Sequence, residues 1–148
     1  MGYDMICADA LSLRLDRTFD VVVCGDLIEH TTNPGGLLAT IAHHLRADGL
    51  GIVTTPNPFA VGRLFNILAD GWTDINTEHV CWFCPQTMFQ LIERSGMFIE
   101  RFSWLKTDHP VWTKRRYWGR LLNRLAPLIA SKRHALRNDF GVVVRKKQ

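Results

Sequence analysis

The hydrophobic pattern in the first half of the chain predicts a strand, a helix and a second strand. Residues 21–23 are a β-branched run, which is typical of a strand buried on both faces of a parallel sheet. Asn33 and Pro34 then supply a helix cap and a proline at the first helical position. The apolar residues of the helix recur at helical spacing: Leu37, Leu38, Ile41 and Leu45. The helix is expected to end at Gly49, and residues 52–54 form a second strand that lies parallel beside the first, because the connection is short.

Polar side chains follow both predicted strands. Asp26, Glu29 and His30 come after the first strand, and they share one side of a single turn if the chain becomes helical after Cys24. Residues 54–57 come after the second strand. Open parallel sheets bind ligands in the crevice at the carboxyl ends of their strands. We therefore predict a ligand site that is formed by these two segments.

The rest of the chain predicts further helices and strands. One helix has a core-facing apolar stripe: Met88, Phe89, Leu91 and Ile92. Residues 98–104 and 140–145 are predicted to be the last two strands, antiparallel at one edge of the sheet. Residues 58–76 predict a short apolar helix and a turn that presents Trp72, and residues 3–8 predict one more strand near the start.

Several motifs occur in an order that is specific to one family. They are Phe19-Asp20 before the first strand, Asp26 with Glu29-His30 after it, Thr55-Pro56-Asn57 after the second strand, and Glu78-His79-Val80 with Phe83 and Pro85 at a helix start. Together they resemble the class I S-adenosylmethionine-dependent methyltransferases, close to the ubiquinone-biosynthesis O-methyltransferases. The later motifs also resemble the metal-dependent small-RNA 2′-O-methyltransferases. The resemblance implies an α/β, Rossmann-like fold with the strand order 3-2-1-4-5-7-6, of which this chain holds strands 3 to 7.

The resemblance also implies two motifs that this sequence does not contain. The family has a glycine-rich loop after its first strand and an acidic residue after its second, which hold the methionine and ribose parts of the cofactor. The Gly49-Leu50-Gly51 motif lies at the opposite end of its strand from the crevice. We therefore expect an incomplete form of the enzyme, truncated at the N-terminus. The strand at 21–23 then has an unpaired apolar edge, which favours self-association unless residues 3–8 cover it.

The cofactor that the resemblance implies is S-adenosylmethionine. In the family, an aspartate in the position of Asp9 accepts a hydrogen bond from the adenine amino group, and the amide of the next residue, here Ala10, meets a ring nitrogen. Cys24, Gly25 and Asp26 are expected to contact the cofactor at the end of the following strand. The alternative for Asp9 is an ordinary turn residue at a strand end.

The candidate catalytic residues are Glu29, His30 and His79. Methyl transfer from a sulfonium needs an aligned acceptor, and an oxygen acceptor must also lose its proton. A metal such as Mg²⁺ or Mn²⁺, held by Asp26 and these three residues, would lower the pKa of the acceptor. Asp26 replaces a glutamate of the family and has a shorter reach. Without a metal, His30 or His79 is the general base; a third interpretation makes Glu29 and His30 simple capping residues.

The segment from Cys81 to Cys84 suggests two other chemistries. A zinc site would need His79 and a further ligand beside the two cysteines. Thioredoxin-like redox chemistry needs a Cys-x-x-Cys at a helix start, and Cys84-Pro85 does open a helix. We favour neither, because the resembling family has an aromatic-rich segment and a Ser/Thr cap here.

The composition is that of one globular domain over residues 1–148, with 47% hydrophobic and 22% charged residues. No apolar run has the length of a membrane span, and no signal peptide is evident. The four cysteines lack the spacing of a disulfide framework. We expect a cytoplasmic protein.

Charge is distributed unevenly, with a net −6 over residues 1–102 and +10 over residues 103–148. The basic part holds an insertion at about 103–138 with an amphipathic helix. Its predicted apolar face is Trp118, Leu121, Leu122, Leu125 and Ile129, and its basic face is Arg116, Arg120 and Arg124. Such a helix suits an anionic membrane surface, so the protein is expected at the inner face of a membrane; the alternative is a helix packed on the sheet.

Two classes of function follow from the sequence. The first is an O-methyltransferase that acts on a small or amphiphilic acceptor, such as a lipid-linked, sugar or quinone-type molecule. The second is a non-catalytic methyltransferase remnant that binds a membrane or a nucleic acid through residues 103–148. Of these two partners, the sequence favours the membrane.

Overall fold

A computed structural model describes residues 2–71, 76–106 and 116–147 of the chain. The strands are β1 (Phe19–Cys24), β2 (Leu45–Pro56), β3 (Met97–Leu105) and β4 (Asp139–Lys146). The helices are α1 (Pro34–His44), α2 (Val61–Asp70), α3 (Pro85–Arg94) and α4 (Arg116–Lys132). Short 3₁₀ helices span Ile28–His30 and His134–Leu136. The predicted turn at Trp72 lies outside the described residues.

The four strands form one mixed sheet in the order β1-β2-β4-β3. β1 and β2 are parallel and are joined by α1, whereas β4 runs antiparallel to both of its neighbours. The helix between them begins as predicted, because the Asn33 side chain accepts a hydrogen bond from the Gly36 amide at 2.9 Å and Pro34 follows. The predicted α/β fold class is confirmed, and the strands take the places expected for strands 4, 5, 7 and 6.

The junction between α1 and β2 lies earlier than predicted. The helix ends at His44, not near Gly49, because Leu45 already pairs with Phe19 as the first residue of β2. The buried His44 ring holds this junction. Its Nε2 accepts a hydrogen bond from the Leu15 amide at 2.9 Å, and its Nδ1 donates to a carbonyl in the preceding helical turn at 2.8 Å.

The core lies where α1 and α3 pack against the sheet. Its fully buried apolar side chains include Ile28, Leu38, Met88, Ile92, Phe140, Val142 and Val144. Gly51 in β2 permits close packing, because a Cβ there would lie 2.7 Å from Val144 Cγ2 and 3.2 Å from Ile41 Cγ2. This packing fixes the end of β2, from which part of the site projects.

Residues 3–8 do not form the predicted strand, so that prediction is wrong for this chain. The segment is irregular, and its side chains are exposed. A strand needs a neighbouring strand to satisfy its backbone hydrogen bonds, and the segment pairs with none of the four described strands. It therefore leaves the sheet edge uncovered.

β1 is an edge strand, and its burial differs from the prediction. The Val21 and Val23 side chains are 48% and 67% exposed, although a strand buried on both faces was predicted. Val21 and Val23 alternate with Val22, which packs against the core, so their side chains lie on the opposite face of the strand. Within the described sheet, β2 alone pairs with β1. An apolar groove of about 320 Å³ also lies here, lined by β1, α1 and residues 10–15. The predicted unpaired apolar edge is confirmed.

α4 packs beside α2 and continues through Pro127 to Lys132. Ala126 is buried, whereas Leu121 and Leu125 are 38% and 39% exposed and Leu128 is 62% exposed. Other members of the two predicted faces have side chains outside the described set: Arg116, Trp118, Arg120 and Leu122. The stretch at 107–115 of the predicted insertion lies outside it as well. Within the described ranges, no helix has the length and hydropathy needed to cross a membrane.

Candidate active site

The site begins with a turn after β1 that the sequence pattern did not predict. Asp26 has a positive φ of 45°, a left-handed conformation that prevents a helix from starting at Cys24. Thr54 holds this turn, because its carbonyl and Oγ1 accept hydrogen bonds from the Asp26 amide at 3.3 and 3.1 Å. The same Oγ1 donates to Asp26 Oδ1 at 2.8 Å. One Asp26 oxygen is thus tied to β2, and the 3₁₀ helix Ile28–His30 carries the next polar residues.

Glu29 is almost completely buried, with 2% of the residue exposed. Thr55 Oγ1 donates a hydrogen bond to Glu29 Oε2 at 3.1 Å, but Oε1 is buried and has no partner among the described residues. Burial raises the pKa of Glu29 and the charge of Asp26 adds to this effect, whereas hydrogen bonds from the backbone and Thr55 oppose it. Glu29 therefore offers one unused carboxylate oxygen to a ligand.

His30 and His79 meet edge to face, with ring centroids 4.6 Å apart and an interplanar angle of 89°. His30 Nδ1 lies 4.0 Å from Glu78 Oε2. His79 Nδ1 is buried, and no described residue bonds to it. Burial lowers the pKa of His79, and the neighbouring His30 and Arg63 lower it further. These effects favour the neutral imidazole of His79, the form that can accept a proton.

Main-chain hydrogen bonds fix the loop that carries His79 against Glu29. The amides of Val80 and Cys81 donate to the Glu29 carbonyl at 2.9 and 3.2 Å. Two segments that are distant in sequence thereby form one unit, in which the imidazole of His79 stands close to the carboxylate of Glu29.

Three of the four predicted metal ligands come together in this unit. Ligand atoms of Glu29, His30 and His79 all lie within 4.8 Å of one another. Asp26 is not a member of this group, which corrects the prediction: Thr54 engages its carboxylate, and aspartate reaches less far than glutamate. The unpartnered Glu29 Oε1 and His79 Nδ1 fit a divalent ion. Because the donor set has two imidazoles and one carboxylate, it suits Mn²⁺ better than Mg²⁺.

Two residues that the sequence analysis missed extend the site beyond His79. The Trp82 ring lies 5.9 Å from the His79 ring at an angle of 81°, and Arg63 Cζ lies 4.8 Å from the centroid of Trp82. One indication for Arg63 was present in the sequence, because it is the only Lys or Arg between Arg46 and Arg94.

The predicted cofactor residues lie around the carboxyl end of β1 and in the segment before it. Asp9 is exposed, and its Oδ1 accepts a hydrogen bond from the amide two residues later at 3.0 Å, as a turn residue does. Ala10 packs against the core. Cys24 is buried, and burial raises its pKa to about 11. Gly25 is open, because a Cβ there would meet Thr54 Oγ1 at 3.8 Å and nothing closer, so a cofactor has room beside this backbone.

Cys81 and Cys84 are free thiols, and neither joins a group of metal ligands in the described part of the chain. Cys81 Sγ donates to the Ile28 carbonyl at 3.5 Å. Cys84 precedes α3 and forms a capping box with Thr87, whose Oγ1 accepts from the Cys84 amide at 3.0 Å. These contacts give both cysteines structural roles and do not support the zinc interpretation.

A parallel β1-α1-β2 unit with polar residues at its carboxyl ends, beside the antiparallel β4, defines a Rossmann-like α/β protein, in which the crevice at these ends is the candidate ligand site. A family model described as a methyltransferase domain matches residues 5–100. The chain belongs to this methyltransferase family.

Curated relatives and solved structures agree with this assignment. The chain is 25% identical over 101 residues to the ubiquinone biosynthesis O-methyltransferase of Rickettsia canadensis (strain McKiel), a match that covers 65% of this chain and 43% of the relative. The chain thus spans about two fifths of the length of such relatives.

Among solved structures, a SAM-dependent methyltransferase from Archaeoglobus fulgidus has a TM-score of 0.60 at 18% identity and matches over 95% of this chain and 66% of its own. Magnesium protoporphyrin IX methyltransferase from Synechocystis PCC 6803, solved with bound SAH, has a TM-score of 0.56 at 13% identity, over 95% of this chain and 49% of its own. These likenesses establish the fold.

Proposed function

We propose that the chain is the acceptor-binding part of an S-adenosylmethionine-dependent O-methyltransferase that acts on a small or amphiphilic hydroxyl compound. The observation that carries this proposal is that Glu29 and His79 lie in one cluster with His30 and that each has a buried atom, Oε1 and Nδ1, without a partner among the described residues. Buried polar atoms without a partner are rare in folded proteins. In a methyltransferase domain, such a cluster suits the group that receives the methyl.

In the proposed reaction, a hydroxyl of the acceptor donates a hydrogen bond to the neutral imidazole of His79. His79 takes the hydroxyl proton as the oxygen bonds to the methyl carbon and the carbon–sulfur bond of the sulfonium breaks. The products are a methyl ether, S-adenosylhomocysteine and a protonated imidazole. The carboxylate of Glu29 stabilises that imidazolium, and His30 is the alternative base. The cluster aligns the acceptor and limits the access of water.

The same three residues would hold a divalent metal if the reaction uses one. Bound Mn²⁺ or Mg²⁺ would lower the pKa of the acceptor hydroxyl. A metal at ten times its Kd stabilises a protein by about 1.4 kcal/mol. We expect Mn²⁺ to raise the thermal midpoint of the wild-type chain. It should not raise the midpoint of His79→Gln, which lacks one of the ligands. Identical midpoints with millimolar metal and with chelator would contradict a metal role.

The proposed methyl donor binds at the carboxyl end of β1, beside the open backbone of Gly25. Asp9, Ala10, Cys24 and Asp26 are the other proposed contacts. Because the glycine-rich and acidic motifs of the family are not in this sequence, we expect weak binding of S-adenosylmethionine by this chain alone. Titration calorimetry that gives a low-micromolar affinity would contradict this expectation.

The direct test is transfer of a labelled methyl group from millimolar S-adenosylmethionine to a panel of phenols and catechols by the 148-residue chain. We expect label on oxygen, and a loss of about 100-fold or more in His79→Gln. His43→Gln is the matched control, because His43 lies on α1 and is not a member of the cluster. Failure to label any acceptor, or equal transfer by His79→Gln, would count against the proposal.

A second candidate function is peripheral binding to an anionic membrane surface. It is supported by the exposed Leu121, Leu125 and Leu128 of α4 and by the net +10 of residues 103–148. Each Lys or Arg near such a surface contributes about 1 kcal/mol. Membrane binding would bring the enzyme to a lipid-linked acceptor. A non-catalytic methyltransferase remnant could bind a membrane in the same way. Flotation with vesicles that contain phosphatidylglycerol tests it, and binding to RNA or DNA but not to vesicles would contradict it.

A further inference from the structure

The cationic side chain of Arg63 is joined by a series of ring contacts to the cluster of Glu29, His30 and His79. The Arg63 guanidinium lies over Trp82, with Cζ 4.8 Å from the ring centroid. Trp82 contacts His79 at 5.9 Å, and His79 contacts His30 at 4.6 Å. One tryptophan ring therefore separates the positive charge of Arg63 from the cluster that contains Glu29.

Most of the hydrogen-bonding capacity of Arg63 is unused. A guanidinium has five N–H donors, and the hydrogen bond found for Arg63 in the described chain is from Nη1 to the Asn57 carbonyl at 2.7 Å. No ion pair joins Arg63 to a carboxylate of the described residues. Burial lowers the pKa of Arg63, while the charges of Asp139 and Glu29 raise it. A partly buried cation without an ion pair is costly unless a ligand compensates it.

The anchor of Arg63 is rigid. Asn57 is fully buried, and its Nδ2 donates to the carbonyls of Ala135 and Arg137 at 2.9 and 2.7 Å. The Asn57 amide donates to the Asn138 carbonyl at 2.6 Å. The carbonyl that accepts the Arg63 hydrogen bond is therefore held by the segment before β4, and the Trp82 ring is a second contact of the guanidinium. Such preorganisation reduces the entropy lost when the guanidinium binds an anion.

We propose that Arg63 determines specificity by binding an anionic oxygen group, a carboxylate or a phosphate, on an acceptor whose hydroxyl lies at the cluster of Glu29, His30 and His79. This inference rests on the proposed function, because it names the acceptor class of the same site. Guanidinium donors match the two oxygens of a carboxylate or phosphate in a fork.

The test measures binding by the 148-residue chain without cofactor, by calorimetry. Three probes share the catechol group: 3,4-dihydroxybenzoate, 3,4-dihydroxybenzamide, and 3,4-dihydroxyphenylphosphonate. We expect wild type to bind the better of the two anions about 10-fold to 100-fold more tightly than the amide. The stronger of the two anionic probes identifies the source as a carboxylate or a phosphate.

Two substitutions and a control complete the experiment. Arg63→Gln should remove the preference for the anion and leave the affinity for the amide within about twofold, and Arg63→Lys should keep part of the preference because it keeps the charge. Arg46→Gln is the control, because Arg46 is an exposed residue paired with Asp20. Equal affinity of wild type for anion and amide would overturn the proposal. A loss of both affinities together in Arg63→Gln and Arg63→Lys would do so as well, because it would show a structural role.

Failure of this inference is distinguishable from failure of the proposed function. A preference for the anion that depends on Arg63, together with no methyl transfer to any acceptor, would support the anion site and contradict the transferase proposal. Transfer to neutral and anionic catechols at equal efficiency would contradict the anion site alone.

Discussion

Replacing Glu29 with glutamine should stabilise the fold while it removes the chemistry of the site. Glu29 is 2% exposed as a residue, and one of its carboxylate oxygens has no partner among the described residues. Glutamine has nearly the same shape and keeps the acceptor for Thr55 Oγ1, so the packing is preserved. The substitution therefore isolates the cost of the buried charge.

The expected gain follows from the cost of leaving a buried polar group unpaired, about 1–3 kcal/mol and more for a charge. Glutamine still places an amide group in the same position, so we expect it to recover only part of this cost, about 1 kcal/mol at pH 7. For a domain of about 150 residues, 1 kcal/mol corresponds to a rise of about 2–4 °C in the thermal midpoint.

The gain should depend on pH in a defined direction. Because burial raises the pKa of Glu29 in the folded state, the folded protein binds more protons than the unfolded chain once the pH exceeds the ordinary value of 4.5. Wild-type stability is then lost as the pH rises from that value to the folded pKa. Glu29→Gln lacks this loss, so its advantage should be small near pH 4 and reach its maximum above the folded pKa.

The assay is thermal unfolding followed by circular dichroism from pH 4 to pH 8, in the presence of a chelator. Glu78→Gln is the matched control, because it removes one acidic charge from an exposed position beside His30 and should change stability by less than about 0.5 kcal/mol. A lower midpoint for Glu29→Gln than for wild type across this range would refute the reasoning, since it would show that the charge of Glu29 stabilises the fold.

Three further predictions concern the fold and its surfaces. Gly51→Ala should destabilise the protein by about 1–3 kcal/mol in urea unfolding, because its Cβ would lie 2.7 Å from Val144 Cγ2; an unchanged midpoint would contradict this packing. Val23→Lys should reduce the self-association that we propose for the edge of β1, measured by sedimentation, and a wild-type monomer at high concentration would argue against it. Leu125→Ser should weaken binding to anionic vesicles even at high salt, whereas Arg124→Gln should weaken it mainly at low salt; equal behaviour of the two would contradict an interfacial helix.

The β1-α1-β2 unit was predictable because its signals are local. Asn33 and Pro34 start the helix by contacts within one turn, and the short connection makes the strands parallel. Burial of Val21 and Val23 was not predictable from their own sequence, because it depends on whether another part of the fold covers their face of β1. The failed strand at residues 3–8 has the same origin, since an apolar pattern does not supply a partner.

The candidate site was predictable in its residues more than in its geometry. The motifs identified Glu29, His30 and His79, and the structure brings these three together, while their roles stay predictions. The inclusion of Asp26 assumed a helical turn, and its positive φ could not be read from spacing. The contact of Arg63 with Trp82 could not be predicted from the sequence for a different reason. It depends on how α2, which carries Arg63, packs relative to the loop before α3, which carries Trp82.

The hydrogen bonds from the Val80 and Cys81 amides to the Glu29 carbonyl have a consequence for how this site can change over time. They are made by main-chain atoms, so the bonds themselves use no side chain of positions 29, 80 and 81 and are lost only where proline removes a donor at 80 or 81. Substitutions at positions 29, 30 and 79 can therefore exchange ligand chemistry while the distance between the two loops is preserved. A main-chain connection of this kind keeps the two loops joined while single mutations change the groups that meet an acceptor or a metal.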